Sequence, residues 1–414
     1  MFLIRAGNRE IDMKRIKTDL VIIGSGIVGV ATALQLKTKF LNQDIIILEK
    51  ESDCAHHQTG HNSGVVHAGV YYEPGSLKAE FCKKGAAITK ELCLQNNLPF
   101  QQCGKMLVAT SDLEMERMEN LRKRCIKNKI NIREVSQTQL KKMEPNIIGK
   151  GALFVKDTAI TDYIAVTRHM VNMFKALGGK IYYNANVTDI KESGRGVMVN
   201  AGPVTLEASR LIACGGLMAD RLTRMMDIDV DFRIIPFRGE YYQLPVEKQG
   251  IVKRLIYPIP DPELPFLGVH LTPMVDGAFT VGPNAVLGWK REGYGSINFS
   301  IKDVHEMMKF SGFWKVVKAN LKSGINEMID SVYRRGYLKR VQKYCPQIEL
   351  KDLTHYPAGI RAQAVMNNGS LVHDFLFAET ERSLHVCNAP SPAATSAMPI
   401  GEYLMKKAAE KFGL

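Results

Sequence analysis

Leu20-Val21-Ile22-Ile23-Gly24-Ser25-Gly26-Ile27-Val28-Gly29-Val30-Ala31-Thr32-Ala33-Leu34-Gln35-Leu36 is the stretch from which the rest of the chain is read. Leu20 to Ile23 is a short apolar strand, and Val30 to Lys39 is rich in helix formers, so the glycines between them mark a strand, a turn and a helix. Each glycine has its own reason to be there. Gly24 makes the tight turn, Gly26 lets the backbone approach a pyrophosphate, and Gly29 lets helix and strand pack closely. The positive end of the helix then faces the phosphates.

A glycine pattern alone is weak, since turns produce it by chance. Here a second strand, Asp44 to Leu48, delivers Glu49 twenty residues after Gly29, where an acid binds ribose hydroxyls. An acid at that position disfavours a 2′-phosphate and leaves FAD or NAD. The same apolar run, Leu20 to Leu36, is too short for a membrane span, has glycines inside it, and is followed at once by a return strand, Ile45 to Leu48. The charged leader, residues 1–17, has no apolar periodicity and reads as an extension, or as an artefact if translation starts at Met13.

Two later segments favour FAD. Leu206 to Cys214 is an apolar strand that ends in Gly215-Gly216 and leads into Leu217 to Met226, a second strand-to-helix turn able to bring backbone against the same dinucleotide. Leu384 to Cys387 is another strand, followed by the small residues Asn388 to Ser396 and a helix from Pro399 to Lys411, a second anion-binding start.

Composition sets the outer limits. A chain of 414 residues with 45% hydrophobic and 23% charged residues is an ordinary folded protein of two or three domains. The eight cysteines are scattered without a Cys-x-x-Cys pair, which predicts no metal site, no disulfide framework and a reducing compartment. The formal charge of +13 favours anionic partners. Mixed-sign stretches such as Glu114 to Lys129 read as solvated helix faces rather than a nucleic-acid stripe, so no nucleic acid is expected; a membrane surface or a dicarboxylate substrate would serve as well.

The segment His57 to Tyr72 is too polar and too rich in Gly and His for a core element, and reads as a functional loop. Together with Gly104 to Ala109, Pro236 to Tyr242, Gly282 to Ala285, Pro357 to Gln363 and Ser391 to Ala397, it closely resembles the L-2-hydroxyglutarate dehydrogenase family, within the D-amino-acid-oxidase-like group of FAD-dependent oxidoreductases. The resemblance runs from about Thr18 to Gly413 and is specific as a set.

The resemblance implies an α/β protein in which a Rossmann-like FAD-binding domain (18–70, 151–226 and 351–414) interleaves with a smaller α+β mixed-sheet substrate domain (71–150 and 227–350), after an N-terminal extension (1–17). It implies FAD held by Gly24, Gly26, Gly29, Glu49 and Lys50, then by Thr59, His61, Asn62 and Ser63. Val187 and Gly215 follow, with Ser391, Pro392, Ala394 and Thr395 from the C-terminal turn. The implied reaction is oxidation of L-2-hydroxyglutarate to 2-oxoglutarate, with electrons passing to a quinone of the respiratory chain. With no span, the implied location is the cytoplasmic face of the inner membrane, held peripherally.

Oxidising a 2-hydroxy acid needs a cation for the C1 carboxylate, a base for the hydroxyl proton, and the α-hydrogen aimed at the flavin. Arg361, after the Gly359-Ile360 turn, suits the first task because a guanidinium binds a carboxylate at two points and stays charged; a surface salt bridge is the competing role. Arg238, Tyr241 and Tyr242 are candidates for a second donor cluster, against pairing of Arg238 with Glu240 and burial of one tyrosine. For the base, His67 lies four residues after Ser63 between Gly64 and Gly69 and is preferred over His270, which alternates with apolar neighbours on a strand. Two other readings share some of these features: an amine or amino-acid oxidase of the same fold using oxygen, and a non-catalytic or nucleic-acid-binding flavoprotein.

Overall fold

The computed structural model describes residues 14–261, 268–295, 297–319 and 334–414. Its first sheet places five parallel strands in the order Ser383–Asn388, Val204–Ala213, Lys14–Ile23, Ile45–Leu48 and Lys180–Tyr182. Alternation along the two leading strands sorts their side chains. Leu20, Ile22, Ile45 and Ile47 pack under the helices Ile27–Lys39, Tyr163–Ala176 and Ala397–Phe412, while Val21, Ile23, Ile46 and Leu48 face the antiparallel strands Val187–Ser193 and Gly196–Ala201. Burial on both faces is why these strands read as unbroken apolar runs. The first and last helices approach closely, since a Cβ added at Gly401 would lie 2.7 Å from the Ala31 carbonyl.

One expected boundary is corrected. Lys14–Lys17, assigned to the extension, continue the first strand and pair in parallel with Val204–Glu207, and Ile16 packs against the core beneath. Backbone pairing along an existing strand tolerates charged side chains on the solvent face. The rest of the expected extension, residues 1–13, lies outside the described residues.

A second, mixed sheet contains nine strands among the described residues. Its long antiparallel pair, Phe232–Gln243 and Thr354–Met366, sets Phe237 opposite Arg361 and Gly239 opposite Gly359, with a register shift before Tyr241. From that pair the sheet runs through Phe279–Gly282, His270–Pro273 and Leu255–Pro258 to Lys105–Ala109, Gly151–Val155 and Ile132–Ser136. Sheet membership departs from the expected segments at three places. Gly151–Val155 and Thr354–Met366 belong to the second sheet, and the helix Leu77–Gln95 packs Phe81 and Cys93 into the core of the first.

Candidate active site

A cavity of about 820 Å³ is lined from both sheets, toward the upper end of the ~300–1,000 Å³ usual for cofactor sites. One end is the glycine turn. Gly24 has φ +99°, and a Cβ there would sit 2.6 Å from the Cys214 carbonyl oxygen; one at Gly29 would meet the Gly24 carbonyl oxygen at 2.0 Å. A Cβ at Gly26 would meet only Thr59 Oγ1, at 3.5 Å, so backbone there is open to a ligand. The Ile27 amide, first of the helix, donates to Thr59 Oγ1 at 3.0 Å. This cradle fits a dinucleotide pyrophosphate, since helix N–H groups and closely approached backbone are what phosphate oxygens need.

Glu49 lines the cavity with its carboxylate fixed from behind. One oxygen accepts from the Ser25 amide at 2.7 Å and from Ser25 Oγ at 2.9 Å, and the other from the Glu51 amide at 3.0 Å. Lys50 also lines the cavity, but its ammonium pairs with Glu292 and stands 3.7 Å from Glu51. His57 joins the same cluster, 2.9 Å from Glu51 and 3.4 Å from Glu292. Glu51, His57 and Glu292 have the spacing of a metal cluster, and Lys50 supplies positive charge there. Val187, Gly215, Ser391, Pro392 and Ala394 complete this part of the lining.

The polar loop of residues 57–69 crosses the middle of the cavity. Asn62 braces it, donating to the Gln58 and Thr59 carbonyls and accepting from the Gly64 amide. His61 stacks on Tyr294 at 4.0 Å, and Ser63 lines the cavity beside it. Thr395 ties the loop to the C-terminal turn: its hydroxyl accepts from the His67 amide at 3.2 Å and lies 2.9 Å from the Tyr163 hydroxyl.

The far end gathers Arg361, Tyr241, Tyr257, His67 and His270. Close packing of the loop on the Arg361 strand requires Gly359, where a Cβ would lie 2.9 Å from the His61 carbonyl oxygen. His270 donates from Nδ1 to the Gly268 carbonyl and stacks on Tyr257 at 3.8 Å. Burial, with the Lys105 cation and His270 nearby, pushes His67 down to about 3; burial also takes His270 to about 3, against its bond to Gly268. Both rings are therefore neutral at physiological pH.

Two expected substrate donors differ from the sequence reading. Tyr242 does not line the cavity: successive strand residues point to opposite faces, and its ring packs in the core against Tyr337 at 4.8 Å. Arg238 lines the cavity but is only 5% exposed, donates to the Gly293 carbonyl and sits 3.7 Å from Glu240, so its guanidinium is engaged by protein. Sequence reasoning missed Tyr163, Tyr257 and the residues Glu292 and Tyr294. Lys105 gained no role from the sequence, although a lysine directly before the apolar run Met106 to Ala109 was a usable signal. All eight cysteines are free thiols.

With this geometry in view, a family profile described as "FAD dependent oxidoreductase" matches residues 19–407. The L-2-hydroxyglutarate dehydrogenase of Escherichia coli (strain K12) is 53% identical over 390 residues, covering 94% of this chain and 92% of that protein. The mitochondrial L-2-hydroxyglutarate dehydrogenase of Bos taurus is 40% identical over 414 residues, covering 96% and 89%. Among solved structures, L-alpha-glycerophosphate oxidase from Mycoplasma pneumoniae with FAD bound superimposes with a TM-score of 0.76 at 22% identity, over 96% of this chain and 95% of that one. Glycine oxidase from Geobacillus kaustophilus gives 0.70 at 14% identity, over 95% and 94%, a likeness of fold alone.

Proposed function

The chain belongs to the FAD-dependent oxidoreductases and, within them, to the L-2-hydroxyglutarate dehydrogenases, and from that membership we propose that its cavity oxidises L-2-hydroxyglutarate to 2-oxoglutarate. The observation that carries the reading is the convergence, in one cavity, of a dinucleotide cradle at one end and an arginine with two neutral imidazoles at the other. FAD, when bound, supplies the acceptor for the hydride leaving C2.

Arg361 binds the C1 carboxylate with two parallel hydrogen bonds and so aims the α-hydrogen. His67 takes the hydroxyl proton on a ring nitrogen, and Thr395 positions it through its backbone amide. A base held neutral in the empty cavity gains proton affinity when a dianion arrives beside it, because nearby negative charge favours the imidazolium. His270, braced by Gly268 and Tyr257, is the rival base and otherwise contacts substrate. Tyr241 donates a phenolic hydrogen bond; burial holds its hydroxyl protonated, up to about 12.

Anaerobic titration of the holoenzyme with each enantiomer of 2-hydroxyglutarate tests this directly. The L form bleaches the flavin absorbance and the D form does not. Bleaching by amino acids instead would move the chain to the amine-oxidising reading.

For the acceptor, we infer a membrane quinone reached by peripheral attachment to the cytoplasmic face of the inner membrane. No helix among the described residues is long and apolar enough to cross a membrane. One surface supports attachment without a span. Ile297 and Ile301 are 78% and 79% exposed, Phe299, Met308 and Trp314 are exposed beside them, and Lys302, Lys309, Lys315 and Lys318 stand among them. Apolar and tryptophan side chains interspersed with lysines suit the boundary of an anionic bilayer, each lysine adding about 1 kcal/mol. Ile301→Glu with Trp314→Glu should free the enzyme from anionic vesicles and slow quinone reduction, leaving anaerobic bleaching unchanged. Equal vesicle binding by the double variant would remove this surface from consideration.

A further inference from the structure

Lys105 is a strongly basic side chain near the reacting end of the cavity that the proposed chemistry leaves unused. Its residue is 0% exposed and its Nζ has no hydrogen-bond partner. The ammonium instead sits over two rings, 4.7 Å from the centroid of Tyr71 and 4.9 Å from that of Tyr257. Cation–π contacts of this kind recover only part of what hydration supplied, so the charge has been taken out of water without an anion to meet it.

Among the described residues no carboxylate acts on it. The groups acting on Lys105 are the Cys82 thiol from the helix Leu77–Gln95 and the Cys125 thiol from the helix Asp112–Lys127, with Tyr71 just after the polar loop and Tyr257 from the adjacent strand. Both thiols are held protonated by burial, pushed up to about 12 and about 11. On the cavity side the lysine's field reaches His67 and His270, and Tyr257 both carries the ammonium over its ring and lines the cavity. Burial lowers Lys105 to about 8, which leaves it mostly charged at neutral pH.

Arg361 and Lys105 stand on strands of the second sheet that four other strands separate. A five-carbon dicarboxylate carries its two charges at opposite ends of an extended chain. Arg238 and Arg221, the other arginines of the lining, are engaged, the first by Gly293 and Glu240 and the second by Asp303 and Glu306. We propose that Lys105 is the counter-charge for the second carboxylate, acting across the Tyr257 ring and the two cavity histidines without touching the ligand, and so selects dicarboxylates over monocarboxylates. This rests on the reading of the cavity as a hydroxy-acid site, but concerns binding rather than hydride transfer. In a water-poor cavity an uncompensated cation acts over a longer range than it would in solvent, which is what lets a shielded lysine discriminate.

The test uses oxidised holoenzyme and two unreactive probes of equal length, glutarate and pentanoate, with binding read from the flavin absorption spectrum. The Lys105→Met side chain has similar length and suits an apolar setting, so the fold and FAD content should survive. The expected result is a loss of about tenfold in glutarate affinity with pentanoate unchanged. Lys105→Arg should retain most of the preference for glutarate. A second readout is the proton balance: at pH 8.5 glutarate binding to the wild type should take up a fraction of a proton, since an arriving anion raises the lysine's proton affinity, and Lys105→Met should abolish that uptake. Equal losses for both probes, no loss for either, or wild-type binding without proton uptake would overturn the assignment. Failure of L-2-hydroxyglutarate to reduce the wild-type flavin would overturn the reaction instead, and would leave the glutarate result to stand by itself.

Discussion

Thr395 and His67 are joined across 328 residues of chain by a hydrogen bond from the His67 amide to the Thr395 hydroxyl, 3.2 Å long. The same hydroxyl meets the Tyr163 hydroxyl at 2.9 Å and the Val65 carbonyl at 3.3 Å. Thr395→Val, nearly isosteric, strips all three and leaves buried partners unsatisfied. It should cost about 1–3 kcal/mol of stability by denaturant unfolding and slow flavin reduction while FAD stays bound. Reduction at the wild-type rate would mean that the bond does not position His67.

His67→Ala should lower the rate of anaerobic flavin reduction by about 10²- to 10⁴-fold, with the deficit shrinking as pH rises and hydroxide substitutes for the base. His270→Ala should cost less and raise KM more. Stopped-flow reduction of both variants decides the assignment, and the opposite ranking would exchange their roles.

Arg361→Ala should raise KM and lower kcat together, because the guanidinium both holds the substrate and aims its α-hydrogen. Arg361→Lys should recover little, since one ammonium cannot reproduce a two-point fork. Near-normal steady-state kinetics in the lysine variant would remove Arg361 from the site.

Asp220 is fully buried and accepts two hydrogen bonds from the Arg291 guanidinium, which also donates to the Leu217 carbonyl. Burial opposes the charge, but Arg291 prevails and holds the carboxyl below its ordinary range. Arg291→Met should therefore destabilise by about 3–5 kcal/mol, and adding Asp220→Leu should restore much of the loss. Thermal unfolding of the two variants is the check; a double variant no better than the single one would show that the pair is not acting as an isolated charge couple.

His385, buried behind Ser383, is pushed down by burial to about 4, from an unfolded value near 6.5. Because the unfolded chain takes up the proton first, stability is intact above pH 6.5 and falls between about 6.5 and 4, by up to about 1.4 kcal/mol per pH unit from this group. His385→Asn should flatten that part of the stability–pH curve. An unchanged slope would place the acid sensitivity elsewhere.

Sequence reading reached the features whose chemistry is local. The Gly24, Gly26 and Gly29 turn, the acid at Glu49 and the arginine after Gly359 all sit in the cavity because short-range geometry dictates them. It did not reach what depends on distant partners. Lys50 lines the cavity, but the pairing of its ammonium with Glu292, 242 residues on, has no local sign. Tyr241 and Tyr242 cannot be told apart until the register of the strand shows which face is the cavity, and nothing local to Lys14–Lys17 announces that a strand almost two hundred residues later will pair with them. Lys105 carries no local mark of its setting; its burial beneath the rings of Tyr71 and Tyr257 depends on distant parts of the chain.

The close seat of the last helix on the first, with Gly401 against Ala31, bears on how the protein comes into being on the ribosome. The glycine turn is made well before the turn that fixes its neighbouring loop and the helix that covers its own. A nascent chain holds an unfinished nucleotide cradle until that turn and helix have been made. Cofactor capture is thereby postponed until they emerge, and a product truncated before them lacks the cover of its own cradle.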